Sequence, residues 1–333
     1  MAVLVTGGAG YIGSHMVWEL IDAGEEVIVL DRLSTGFEWA VAPEAKLVIG
    51  DVGDSALVSE LIAAHAVDSV IHFAGSIVVP ESVADPLAYY DNNTVKTRAL
   101  IESAVKGGVG HFIFSSTAAV YGATGAEPVL ENAALNPESP YGRSKLMSEW
   151  MLADAAAAYG LRYTALRYFN VAGADPKGRT GQSTAGATHL IKVAGQAALG
   201  KRPFIEVYGT DYPTPDGTCI RDYIHVSDLA AAHRLALERL RQGGTSLVAN
   251  CGYGHGYSVF EVLDSVRRVH GREFDVRLAG RRPGDAAAVV ANPALARREL
   301  GWSPRLDDLD GIVRSALDWE RHLTMMNTPQ PPA

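Results

Sequence analysis

Cysteine is scarce. Only Cys219 and Cys251 occur in 333 residues, and neither has a second cysteine or a histidine at metal-ligand spacing. No disulfide framework or zinc motif is indicated, so no metal is expected and a reducing compartment fits best. Positive charge is in deficit, with 29 Lys and Arg against 38 Asp and Glu and a formal net charge of -9. This argues against a general affinity for nucleic acid or an anionic membrane, and any anionic ligand must be met by a few placed arginines. Long apolar runs are also missing. The N-terminal run spans only Ala2 to Val5 before a glycine cluster, too short for a signal-peptide core, and no window approaches a membrane span. The expected location is the cytoplasm. No internal repeat or low-complexity tract is present, and Pro329–Ala333 read as a disordered tail.

What is present is an ordinary globular composition, 47% hydrophobic and 20% charged, enough for one large domain or two moderate ones. Short apolar runs at Ala2–Val5, Glu26–Leu30, Leu47–Ile49, Ser69–Phe73, His111–Ser115 and Arg162–Arg167 alternate with helical stretches at Tyr11–Ala23, Ser55–Ala64, Pro86–Lys106 and Pro140–Tyr159. Gly24, Gly107 and Gly160 stand where C-terminal glycines belong. The rhythm predicts an α/β fold with a Rossmann-type, doubly wound parallel sheet over 1–174. From about Asp175 it breaks into Gly-, Pro- and Thr-rich segments around isolated helices at Asp228–Leu240 and Val259–Val269. A smaller mixed α/β C-terminal domain over 175–330 is expected to shape a substrate pocket, with segments such as 219–250 completing the first domain in space.

Thr6-Gly7-Gly8-Ala9-Gly10-Tyr11-Ile12-Gly13 follows the first strand and opens a helix, which is the context a dinucleotide fingerprint requires. Gly7, Gly8 and Gly10 allow a tight turn and close approach of amides to a pyrophosphate, and Gly13 lets helix and strand pack. Asp31, at the end of the second strand, is placed to bind ribose hydroxyls, which favours NAD over NADP. Arg32 could pair with a 2′-phosphate, but Asp31 would repel that same phosphate. Asp51, with Val52 beside it, follows the third strand and is placed to meet an adenine edge; a simple turn aspartate explains it equally well. Phe73-Ala74-Gly75 could line the pyrophosphate through small side chains.

Tyr141 and Lys145, four residues apart after Ser139-Pro140, share a helix face. Lowering a phenol from its reference value to near neutrality needs roughly 4 kcal/mol. A cation at ~4 Å supplies about that much at an effective dielectric of ~20. Ser139 as cap and Pro140 at the first turn would add the helix dipole, so three effects are expected to push the Tyr141 pKa down. In isolation such a pair usually means only a solvated helix face.

Thr6 to Gly13, Asp31, Tyr141 with Lys145, and Arg167-Tyr168-Phe169-Asn170 together resemble the extended short-chain dehydrogenase/reductase superfamily. Within it the chain resembles the UDP-glucose 4-epimerase family from Val3 to about Trp319. The similarity takes in Glu81-Ser82-Val83, Tyr89 to Asn93, Phe114 to Thr117, Asp211 to Thr214 and, most specifically, Gly217 to Val226.

The resemblance implies tightly bound NAD and a UDP-sugar substrate, with UDP-galactose converted to UDP-glucose through a transient 4-ketose. Tyr141 would be the base. Thr117 would bridge the substrate oxygen and Tyr141, and Lys145 would also bond the nicotinamide ribose. Asn92 and Tyr168 would stand on the cofactor side, as would Tyr11 and Ile12 with the glycine loop. Arg221 and Arg282 would clamp the substrate diphosphate; without the resemblance they read as surface charges. Asn170, His189, Leu190, Tyr208 and Asp285 would surround the nucleotide sugar. A homodimer formed by Pro86–Lys106 and Pro140–Tyr159 is implied as well.

His189 replaces an asparagine, Ile77 a lysine of some epimerases, and Lys192 a common proline. Val289 stands where epimerases restricted to plain hexoses often carry tyrosine, which would leave room for UDP-GlcNAc or UDP-GalNAc. A 4,6-dehydratase would need acidic partners after the hydroxyl residue, but Ala118 and Ala119 follow Thr117. A UDP-uronate or UDP-pentose 4-epimerase remains the alternative enzyme. A catalytically silent NAD-binding sensor would typically have lost Tyr141 or Lys145.

Overall fold

Five residues with no charge among them open the chain as β1 (Ala2–Thr6), and all five are buried. The computed structural model describes residues 1–125, 127–282 and 285–326; the tail expected at 329–333 lies outside them. After β1 come α1 (Tyr11–Asp22), β2 (Glu26–Asp31), β3 (Lys46–Ile49), α2 (Ser55–Ala64) and β4 (Val67–His72). Next are α3 (Val79–Ala84), α4 (Pro86–Tyr90), α5 (Lys96–Lys106), β5 (His111–Ser115), α6 (Pro140–Tyr159) and β6 (Arg162–Tyr168).

The later part holds β7 (Asn170–Ala172), α7 (Leu190–Ala198), β8 (Ile205–Tyr208), β9 (Ile220–Arg221), β10 (Tyr223–His225), α8 (Val226–Arg241) and β11 (Leu247–Cys251). It ends with β12 (Tyr257–Ser258), α9 (Val259–His270), β13 (Val276–Ala279), β14 (Ala288–Val289), α10 (Ala294–Leu300) and α11 (Leu309–Met326).

Seven parallel strands form the main sheet in the order β11-β6-β5-β4-β1-β2-β3. Alternate residues of β1 enter opposite layers, as strand geometry requires. Val3 and Val5 pack with Met16, Val17 and Leu20 of α1, while Ala2 and Leu4 share a cluster with Leu61 of α2, Leu100 of α5 and Leu152 of α6. Burial on both faces explains why the strands read as near-continuous apolar runs. Because β1 lies between β2 and β4, strand order reverses there, and a crevice opens at the carboxyl ends of the strands. Beyond the sheet, β9 pairs antiparallel with β12 and parallel with β14, β8 pairs with β13, and β7 pairs with β10.

Two local differences from expectation have physical causes. The helix expected over Pro86–Lys106 is split by a π-helical segment, Asp91–Val95, between α4 and α5. Such a turn re-aims side chains, and here Asn93 is only 2% exposed. After α5 the left-handed glycine is Gly108 at φ +75°, while Gly107 stays right-handed at φ -80°.

Candidate active site

α6 begins as its sequence dictates: Ser139 Oγ accepts from the Gly142 amide at 3.1 Å, and Pro140 sits in the first turn. A Cβ on Gly142 would lie 2.6 Å from the Ala119 carbonyl oxygen, so the helix start presses against the loop after β5. Thr117 lies in that loop. Its hydroxyl accepts from the Ala119 amide at 3.1 Å and bonds the buried Tyr141 phenol. One turn along α6, Lys145 Nζ donates to the Ser115 carbonyl oxygen at 2.9 Å and sits 4.9 Å from the centre of the Phe114 ring.

The expected lowering of the Tyr141 pKa by Lys145 is therefore corrected. Burial raises the phenol above its ordinary value, and the opposing influence is the Thr117 hydroxyl. Burial also brings Lys145 down to about 8, against the attraction of Glu149. Taking both groups out of water outweighs their spacing along the helix.

Behind the pair lies a buried polar network. Asn93 Nδ2 donates to Ser144 Oγ at 3.1 Å and to the Ser76 carbonyl at 2.8 Å, while Asn93 Oδ1 accepts from the Ser76 amide at 2.7 Å. A Cβ on Gly75 would fall 3.1 Å from Asn93 Oδ1 and 3.6 Å from Lys145 Nζ, so the loop after β4 comes close to Lys145. Glu149, four residues beyond Lys145, accepts from Ser116 Oγ at 2.5 Å and takes the Arg167 guanidinium through both oxygens. Arg167 also donates to the Tyr121 hydroxyl at 3.0 Å, and Tyr121 donates to Asn250 at 2.6 Å. Sequence reading did not single out Asn93, Glu149 or Tyr121. Glu149 could have been found from its (i, i+4) spacing to Lys145; the orientation of Asn93 depends on the π turn and leaves no comparable signal.

The crevice fits a dinucleotide. Gly7 adopts φ +73°, and a Cβ there would fall 2.5 Å from the Ala74 amide; one on Gly13 would fall 2.1 Å from the Gly7 carbonyl oxygen. Gly10 caps α1 without any side-chain bond, which leaves the first amides of the helix, including those of Tyr11 and Ile12, for an anion. Asp31 is buried at the end of β2 and accepts from the Ala9 amide at 2.9 Å and the Leu33 amide at 2.8 Å, keeping further lone pairs for ribose hydroxyls. Arg32 bonds Ser34 and stands 3.8 Å from Asp51, while Lys96 holds Asp51 at 2.6 Å, so its charge is largely answered within the chain. Val52 is buried. Phe73 packs 4.9 Å from the His233 ring, Asn92 donates to Ser76 Oγ at 3.0 Å, and the Tyr168 and Ser115 hydroxyls bond each other. The Tyr11 hydroxyl is committed to the Gly173 carbonyl at 2.7 Å.

Residues expected on the substrate side gather in three groups. Asn170, His189 and Leu190 line one cavity of about 30 Å³ together with Tyr11. Arg221 donates to the Ile220 and Ala286 carbonyls, stands 3.5 Å from Asp285 and faces Val289 in the β9–β14 register. Arg282 lies 3.6 Å over the Tyr208 ring, whose hydroxyl donates to Glu206. Ile77 is exposed. Among the described residues, no group of three or more His, Cys, Asp or Glu could hold a metal ion, and no helix is long and apolar enough to cross a membrane.

Residues 3–252 match the NAD dependent epimerase/dehydratase family. The chain is 58% identical over 321 residues to a UDP-glucose 4-epimerase of Azospirillum brasilense, covering 96% of this chain and 92% of that protein. A solved UDP-glucose 4-epimerase from Brucella ovis in complex with NAD superposes with TM-score 0.93 at 48% identity, over 95% of this chain and 97% of that one. A UDP-Glc/GlcNAc 4-epimerase from Campylobacter jejuni matches with TM-score 0.85 at 46% identity, over 96% and 99% of the two chains.

Proposed function

The chain belongs to the NAD dependent epimerase/dehydratase family, and from that premise we propose that it interconverts UDP-galactose and UDP-glucose by NAD-dependent epimerisation at C4. The observation that carries this reading is the Thr117 hydroxyl against the Tyr141 phenol, with Lys145 one turn along the same helix, at the carboxyl ends of the strands where the glycine loop lies. NAD, when bound, would supply the hydride acceptor and donor that epimerisation at C4 requires.

The chain then has to move one proton and hold the sugar nucleotide. Tyr141 takes the C4 hydroxyl proton and gives it back after the 4-ketose has turned over, with Thr117 aligning the sugar oxygen. Lys145 holds positive charge at the end of β5, where it would bond the nicotinamide ribose. The helix α1 amides and Asp31 hold the dinucleotide. Arg221 and Arg282 suit the substrate diphosphate, since guanidinium forks match phosphate oxygens. Asp285 beside Arg221 suits a ribose hydroxyl.

Val289, small and in register with Arg221, favours a second substrate class, the UDP-N-acetylhexosamines. The exposed apolar residues Leu87 of α4 and Met147 and Trp150 of α6 favour a homodimer. Two buried free cysteines fit a cytoplasmic setting.

Incubating the purified protein with UDP-galactose, no cofactor added, and following the anomeric protons by NMR tests the reaction. UDP-glucose is expected to form, and UDP-GalNAc is expected to give UDP-GlcNAc. No change in UDP-galactose even after NAD is supplied removes the hexose reading. Vigorous UDP-galactose turnover with inert acetamido sugars removes only the role of Val289.

A further inference from the structure

Lys192, buried in the first turn of α7, lies two residues beyond Leu190. Its Nζ donates to the Gln182 carbonyl at 2.5 Å and pairs with Glu320 of α11. Glu320 is itself only 3% exposed, and its second oxygen accepts from Lys201 at 2.9 Å. The preceding residue, Trp319, donates from its indole to Ser183 Oγ at 3.0 Å, and a Cβ on Gly181 would fall 2.4 Å from its ring. Trp319 of α11 thus holds the 181–183 stretch that leads to His189 directly, and its neighbour Glu320 holds it through Lys192. Gln182 continues the connection: its Oε1 accepts from the Thr184 amide at 3.1 Å and its Nε2 reaches His189 Nδ1 at 3.5 Å. Lys192, Trp319 and Glu320 line the same cavity as Asn170, His189 and Leu190.

A lysine here does what an apolar residue could not. It satisfies a buried carbonyl and neutralises a buried carboxylate with one group, and removing it would leave both partners short. We propose that Lys192 is a positioning residue that, through Gln182 and Glu320, fixes the 181–189 segment and the start of α7, so that His189 and Leu190 meet the nucleotide half of the substrate preformed. This rests on the reading that His189 and Leu190 contact the nucleotide. Preformed contacts spare the ordering cost of binding. Thr117, Tyr141 and Lys145 stand on other elements, so the consequence falls on affinity and leaves the chemical step alone.

The test uses the NAD-loaded enzyme with Lys192→Met and with the double variant Lys192→Met/Glu320→Leu. In the single variant, KM for UDP-galactose and Kd for UDP are expected to rise about tenfold or more with kcat within about threefold, the signature of lost binding without lost chemistry. Bound NAD should stay stoichiometric. In the single variant Lys201 still answers one oxygen of Glu320 and the other is left without its cation; the double variant removes that oxygen, so Tm should recover toward wild type while KM stays high, because the Gln182 carbonyl still lacks its donor. An unchanged KM in the single variant, or a KM that returns with Tm in the double, overturns the proposal. His189→Ala separates the layers. A raised KM there beside an unaffected Lys192→Met removes the positioning role alone, whereas no effect of His189→Ala removes the contact on which it rests.

Discussion

Tyr141 is held by surroundings that raise its pKa, and among the described residues the group that lowers it is the Thr117 hydroxyl. The spacing of Tyr141 and Lys145 was legible in the sequence, but the sign of the shift was not. Desolvation arises from everything packed around the ring, whereas spacing along a helix reports only one neighbour. Two outcomes follow from the assigned roles. Tyr141→Phe should keep bound NAD and lose about 10²- to 10⁴-fold in kcat, the usual worth of a general base; near-normal turnover with NAD retained would take the base role from Tyr141. Thr117→Val removes the lowering partner, so the folded pKa of Tyr141 rises further. Less phenolate is then present at a given pH, and the ascending limb of kcat/KM against pH should move to higher pH. A limb that stays in place means the Thr117 hydroxyl does not act on the base.

At the scale of elements, six of the seven strands of the main sheet were readable as apolar runs, most clearly the central ones buried on both faces; β11, which joins the sheet from far along the chain, was not among them. Nor were the two-residue strands β9, β12 and β14. They exist only through one another, and their pairing is what sets Arg221 beside Val289. The π segment was equally hidden, since one widened turn leaves the apolar pattern of 86–106 nearly intact while turning Asn93 inward. The packed helices α3, α4 and α6 carry an exposed apolar face: Val83 of α3 is 65% exposed, Leu87 of α4 77% and Trp150 of α6 56%. Several large side chains in one region exceed the scattered exposure of an ordinary surface. The double variant Leu87→Asp/Trp150→Glu should therefore convert a dimer to a monomer in sedimentation without loss of the far-UV spectrum. A wild-type chain that sediments as a monomer at micromolar concentration would show that this face is not self-complementary.

Taken whole, the molecule buries His15, His72, His225 and His233 deeply enough that desolvation outweighs the charges around them. His72 is held to about 3 between Thr6 and Thr97, and His15, His225 and His233 to about 4, burial being the largest cause for each. Their sequence positions gave no warning, because each becomes buried only when distant segments close over it; His233, for example, packs against Phe73 and Tyr168. The consequence is a pH dependence of the fold itself. Unfolded, these rings take up protons below 6.5, while folded they stay neutral until about 4 or lower. The unfolded state therefore binds more protons throughout that window, and stability falls as pH drops. Each ring contributes about 1.4 kcal/mol per pH unit once its unfolded form is fully protonated. Asp22, Asp51 and Asp175, whose folded pKa values are lowered from 3.8, lose their contribution only below that value, so the histidine window stands clear of theirs. Urea midpoints of the NAD-loaded protein should accordingly fall steadily from pH 7 to pH 5. His233→Asn keeps a donor for the Leu229 carbonyl but cannot titrate, and should make that fall shallower by about one ring's share. Midpoints that stay level across the window would mean that the buried rings protonate in the folded protein, and that the packing around them opens readily enough to admit the charge.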